Sequence, residues 1–201
     1  MATLTITTFL TLDGVMQGPG GPTEDPRNGF THGGWSFPYV DDEFGKFISD
    51  VFMKAGAFLL GRYTYKLFAD YWTKITDPND PVAGPLNRLP KYVASRTLDK
   101  AEWAGSTIIR DAAGEVPKLK SRYDGEIQVH GSADLAQTLI REDLIDRYNL
   151  LIYPVVLGTG KRLFGEGAVP RALRLIDSKT TGSGIAIHVY EKAGMPKYGS
   201  F

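Results

Sequence analysis

None of the 201 residues is cysteine, which excludes disulfides, thiolate metal sites and a cysteine nucleophile. Neither sign of charge is in excess, since 23 Lys and Arg face 23 Asp and Glu. A polybasic surface for nucleic acid or anionic lipid is therefore not expected. No apolar run approaches the roughly 20 residues that a membrane-crossing helix needs. Met1-Ala2-Thr3-Leu4-Thr5 has no charged stretch leading into an apolar core, so no signal peptide is expected. With no cysteine to protect either, the expected compartment is the cytoplasm. Histidine is scarce, with His32 in a loop, His130 at the end of a core strand and His188 in an edge strand. Of the three, only His32 is placed as a candidate contact, and an exposed loop histidine is its plainer reading.

What is present is an alternation of strand and helix patterns. Thr3 to Phe9 alternates threonine with apolar residues as a strand does. A Gly- and Pro-rich stretch from 13 to 38 is too long for an ordinary connection, and loops of that length in compact domains are often functional. Phe44, Phe47, Ile48, Val51, Phe52 and Ala55 recur at the spacing of one buried helix face. Ala57–Leu60 reads as a strand, Thr64–Trp72 as a helix and residues 74–90 as a surface loop. Short strands are expected at Tyr92–Ser95, Ser106–Ile109 and Glu126–His130, with helices over Val116–Arg122 and Ser132–Arg141. The strands Arg147–Val156, Ala172–Asp177 and Ile185–Tyr190 complete the pattern. Such an order predicts a single α/β domain over residues 1–201. Helices should cover both faces of a mainly parallel sheet, in three α/β/α layers, with antiparallel strands at the C-terminal edge.

Three strand ends share one chemistry. In Phe58-Leu59-Leu60-Gly61-Arg62-Tyr63-Thr64-Tyr65 an apolar strand stops at glycine, and arginine and threonine open a helix. Free N–H groups and the helix dipole there favour an anion. Ala94-Ser95-Arg96-Thr97 ends a strand in a hydroxyl and a guanidinium, and Val129-His130-Gly131-Ser132-Ala133 leads into a helix. In an open α/β sheet, ligands bind where loops converge outside the carboxyl ends of the strands. Each piece alone has a plainer reading: Ser132 as a helix cap, Arg96 as the partner of Asp99. Together they describe a cradle for several phosphates.

Leu12-Asp13-Gly14, Leu60 to Tyr65, Ser95-Arg96-Thr97, His130-Gly131-Ser132 and the run Tyr153-Pro154-Val155-Val156-Leu157-Gly158-Thr159-Gly160 together resemble the dihydrofolate-reductase-like superfamily. The likeness is nearest to stand-alone proteins similar to the C-terminal reductase domain of the bifunctional riboflavin-biosynthesis deaminase/reductase. It implies an NADPH-dependent reductase that passes hydride to a small heterocycle, of the 5-amino-6-(5-phosphoribosylamino)uracil reductase type, and a homodimer. By position, Gly61, Arg62 and Thr64 would hold cofactor phosphates and Ser95 and Arg96 the adenosine 2′-phosphate. Gly131, Ser132 and Ala133 would hold the pyrophosphate, and Gly158 and Gly160 would shape the loop near the nicotinamide. Asp13 is the candidate catalytic contact, with an Asp-Gly turn as its equal alternative. Trp35, Tyr39 and Tyr153 are candidate substrate contacts, with core packing as theirs. Dihydrofolate reductase activity and nucleotide binding without catalysis are the competing functions. Against the first, the inner helix face holds Phe44, Phe47, Ile48 and Val51 where dihydrofolate reductases carry a carboxylate.

Overall fold

Strand β1 (Thr3–Thr11) lies at the centre of one eight-stranded sheet in the computed structural model, which describes residues 1–165 and 168–200. The chain then runs through α1 (Asp42–Met53), β2 (Ala55–Gly61), α2 (Arg62–Trp72), α3 (Ala83–Arg88), β3 (Lys91–Ala94) and β4 (Ser106–Ile109). It continues with α4 (Ala112–Arg122), β5 (Glu126–His130), α5 (Ala133–Arg141), β6 (Arg147–Tyr153), β7 (Leu173–Thr180) and β8 (Ala186–Lys192). The strand order is β4-β3-β2-β5-β1-β6-β8-β7. The six strands from β4 to β6 pair in parallel, and β8 and β7 close the sheet antiparallel. The architecture is thus the expected one.

Alternation along the strands divides the core into two sides. Leu4, Ile6, Leu59, Ile127 and Val129 pack with Val116 and Leu119 of α4 and Leu135 and Leu139 of α5. Their neighbours point the other way: Phe58, Leu60 and Val93 meet Phe52 of α1, Tyr65 of α2 and Leu86 of α3. A period of two sends adjacent residues to opposite faces, so strands this apolar need helices on both. Helix α1 starts where Asp41 caps it, its carboxylate accepting from the Phe44 N–H at 2.8 Å. Asp42 and Glu43 follow in the first turn, where the dipole favours negative charge.

Residues 74–90 do not form a plain surface loop. Asp80 accepts from the N–H groups of Val82 and Ala83, at 2.9 and 2.7 Å, and starts α3, whose Ala83 and Leu86 are fully buried. A helix of six residues is too short to carry a readable period. The expected strand Arg147–Val156 ends at Tyr153, because the segment beyond it turns back to bond with the loop after β1.

Lys91 is fully buried beneath α3. Its Nζ donates to the carbonyls of Leu86 and Leu89, at 2.7 and 2.8 Å, and lies 4.7 Å above the Trp103 ring. Burial pulls its pKa from 10.5 to about 8. Between those values the unfolded chain holds a proton that the folded chain has released, so stability rises with pH. Chemical denaturation across pH 8 to 10 is expected to show a gain of order 2 kcal/mol. Lys91→Met should remove that gain from the slope, whatever it does to stability itself.

Candidate functional site

The carboxyl ends of β1, β2, β3 and β5 open on one cleft of about 1180 Å³. Strands β2 and β5 are neighbours, so the turns that follow them lie side by side. Ser132 joins the two turns. Its hydroxyl accepts from the Gly61 N–H at 3.0 Å and lies 2.9 Å from Thr64 Oγ1. It does not cap its own helix. Gly131 and Ser132 are both left-handed, at φ 54° and 62°. That conformation costs a residue with a Cβ of order 1 kcal/mol, and serine holds it here while its side chain crosses to the next turn. A Cβ on Gly61 would come within 3.2 Å of Ser132 Cβ and Oγ, a tight contact that glycine avoids.

The result is two helix N-termini, of α2 and α5, with no side-chain cap on either. Their first backbone N–H groups have no internal acceptor and face the cleft. Ser95 folds the next loop by accepting from the N–H groups of Thr97 and Leu98, at 3.3 and 2.9 Å. Arg62 donates to the Thr97 hydroxyl, and Arg110 donates to the Ser95 carbonyl at 2.8 Å. Arg96 has no ion pair or hydrogen bond to its side chain among the described residues, and no bridge to Asp99 forms. Gly61, Arg62, Thr64, Ser95, Arg96, Gly131, Ser132 and Ala133 all line the cleft. These groups fit a ligand with several phosphates: open dipole ends, hydroxyls and forked guanidinium donors converge on one wall.

The long loop after β1 forms the opposite wall. Gln17 donates from its amide to the carbonyls of Asp25 and Arg27, at 3.0 and 2.9 Å. Arg27 forks onto Asp25, with Nε to Oδ1 at 2.6 Å, and lies 4.0 Å above the ring of Tyr63 on α2. The Tyr63 hydroxyl donates to the Glu24 carbonyl. The Glu24 carboxylate turns inward onto the N–H groups of Gly20 and Gly21, and burial raises its pKa. The glycines and prolines at 18–22 thus shape a wall and present no phosphate loop.

Other expected contacts lie elsewhere. Asp13 does not line the cleft. Its carboxylate accepts from the Thr11 hydroxyl at 2.6 Å and from the N–H groups of Leu157 and Gly158, at 3.2 and 2.8 Å. Arg162 pairs with it at 3.3 Å. The Thr11 hydroxyl first, then the backbone N–H groups, lower its pKa to about 2. Asp13 therefore ties the loop after β1 to the loop after β6. Gly158 and Gly160 belong to that second loop, outside the cleft. Gly160 (φ 119°) packs so closely that a Cβ would sit 2.7 Å from Val15 Cγ1.

Trp35, Tyr39 and Tyr153 form a core cluster behind the cleft wall, with ring centroids 5.3 and 6.0 Å from Tyr153 to Trp35 and Tyr39. Burial raises the Tyr153 pKa, and none of the three reaches the cleft. His32 is exposed and stands edge-on to Phe30 at 5.8 Å. The histidine in the cleft is His130, buried and stacked on Phe52 at 4.4 Å. Its sequence signal was its place at the strand end directly before Gly131; the core position of that strand concealed it.

The fold is an α/β sheet whose strand ends carry a cleft lined by hydroxyls, guanidinium groups and two uncapped helix N-termini. The chain belongs to the RibD C-terminal domain family, whose profile matches residues 2–187. It is 30% identical over 191 residues to the uncharacterised protein YyaP of Bacillus subtilis (strain 168), covering 92% of each chain. A candidate riboflavin biosynthesis protein from Shewanella sp. PV-4 superposes with a TM-score of 0.67 at 19% identity, over 96% of this chain and 99% of that one. Dihydrofolate reductase from Schistosoma mansoni shares the fold with a TM-score of 0.59 at 15% identity, over 94% and 98%.

If Asp13 only pins the two loops, Asp13→Asn should leave ligand binding in the cleft intact and destabilise the protein near neutral pH. The native carboxylate is depressed from 3.8 to about 2, so its contribution is complete above pH 4 and is lost as pH falls towards 2. Denaturant midpoints of the two proteins should therefore converge on acidification. Unchanged midpoints with lost turnover would return Asp13 to the chemistry.

Proposed function

We propose that this protein is an NADPH-dependent oxidoreductase that reduces a small heterocyclic or carbonyl-type substrate. The observation that carries the reading is the convergence of eight residues from three strand ends on one wall. That wall includes two uncapped helix N-termini and, beside Ser95, an arginine with no carboxylate partner among the described residues. Thr64, Ser132 and the N-terminus of α5 suit a pyrophosphate. Arg96 with Ser95 suits a phosphate monoester, as on an adenosine 2′-oxygen. Membership of the RibD C-terminal domain family supports a reductase.

When bound, the cofactor supplies a hydride, and the protein's task is to orient, to shape polarity and to exclude water. The loop from Gln17 to Arg27 serves the last purpose, held to α2 through Tyr63 and to α5 through the Arg27–Asp134 pair at 3.7 Å. His130 does not donate a proton at neutral pH, because burial lowers its pKa to about 3.

Fluorescence titration with NADPH and NADH tests the reading. NADPH should bind more tightly, and Arg96→Ala should reduce that preference by roughly tenfold or more. Binding of neither nucleotide would overturn the assignment, and NADPH binding without turnover on any acceptor would favour a nucleotide-binding protein.

A homodimer belongs to the same proposal. Strand β7 is one of the two edges of the sheet and carries the exposed Leu175 and Ile176, and an exposed apolar edge invites pairing. Light scattering on a sizing column should give twice the chain mass at micromolar concentration; a monomer would remove the dimer from the proposal.

A further inference from the structure

The cleft is divided by charge. Every Asp, Glu, Lys or Arg that lines it lies on the loop from 16 to 27 or within the strand-end segments 61–64, 94–97, 110–112 and 131–134. The part of the cleft contributed by β1, α1 and the later turns of α2, its inner compartment, is lined by Phe9, Phe44, Ile48, Phe52, Phe68 and Trp72. Among the described residues, α1 and the part of α2 beyond Thr64 contribute no Asp, Glu, Lys or Arg to the lining. Its polar groups are few and mostly committed. Thr7 Oγ1 accepts from Asn149 at 3.0 Å, and the Ser49 hydroxyl donates to the Gly45 carbonyl at 2.9 Å.

His130 is different. Gln128 donates its amide to the Val51 carbonyl at 2.6 Å and to Glu126 at 3.1 Å. Its Oε1 is therefore the atom 3.1 Å from His130 Nε2, and an oxygen there requires the proton on Nε2. Nδ1 is left as a bare acceptor. It has no partner among the described residues and is not among the fully buried unpaired atoms, so it opens on the cleft. Stacking on Phe52 holds the ring in place.

We infer that the inner compartment takes an uncharged, planar, conjugated molecule, and that His130 Nδ1 accepts a hydrogen bond from an N–H or O–H on it. An anion or cation would be desolvated there with no counter-charge, which is strongly unfavourable. A phosphorylated or guanidinium-like group is therefore excluded from this compartment, while flat aromatic surface fits between the rings of α1, α2 and β1. His130 is a specificity residue in this role. The inference rests on the hydride-transfer reading only in treating this compartment as the substrate side of the cleft.

Isothermal titration calorimetry with four probes tests it: indole, 1-methylindole, indole-3-carboxylate and tryptamine. Indole should bind at least ~30-fold more tightly than either charged probe. Methylation of its nitrogen should cost about fivefold, the worth of one hydrogen bond. His130→Phe should abolish the difference between indole and 1-methylindole; the wild-type comparison stands even if that variant does not fold. Equal affinity for charged and neutral probes, or no binding of indole, overturns the compartment's assignment. Equal affinity for indole and 1-methylindole overturns the role of His130. NADPH titration of the same preparation separates the two proposals. Cofactor binding without indole discrimination sinks only this inference, and the reverse pattern sinks only the cofactor.

Discussion

The crossing of the Ser132 hydroxyl to the Gly61 N–H is the contact on which the cleft depends. Parallel pairing of β2 with β5 brings two strand-to-helix turns together, but pairing alone would leave their helices free to splay. One hydroxyl, held by a left-handed backbone, locks the turns at hydrogen-bond distance. A hydrogen bond of this kind contributes about 1 kcal/mol. Its larger effect is geometric, because both helix N-termini are left uncapped and aimed at one space.

The rest of the cleft follows from where charge can be tolerated. Loops at the strand ends reach solvent and carry the arginines. The inner compartment lies under α1 and α2, where an unpaired charge would be costly, and the chain supplies rings. The walls are joined by the loop after β1, whose Arg27 sits on the Tyr63 ring while Tyr63 bonds back to that loop. The charged, donor-rich side and the apolar side are thus parts of one structure with different dielectric surroundings.

Much of this was legible in order and spacing. The strand Glu126–His130 and the core face of α5 were predicted nearly residue for residue, because both are strongly periodic. The three strand-end motifs were readable because glycine, hydroxyl and arginine recur where a run of apolar residues stops. Asp13 and the aromatic residues misled for a shared reason. Asp13 stands at the end of β1, as a contact should, but its carboxylate has nearer donors in the loop after β6. Trp35, Tyr39 and Tyr153 have the composition of a binding wall and the packing of a core. Short α3 left no period to read, and His130 was hidden by its strand.

Taken by itself, the amino-acid order determined the alternation of strands and helices, the antiparallel finish and the chemistry of each strand end. These are local properties, set by side-chain periodicity and by the few residues a turn permits. Tertiary structure decided which of the candidates meet. It turned Asp13 away, placed Trp35, Tyr39 and Tyr153 behind the wall, and brought His130 into the cleft with a tautomer set by Gln128. The physical reason is that a side chain's partners are chosen by distance across the sheet, and residues 71 or 145 positions apart become neighbours only once the sheet is formed.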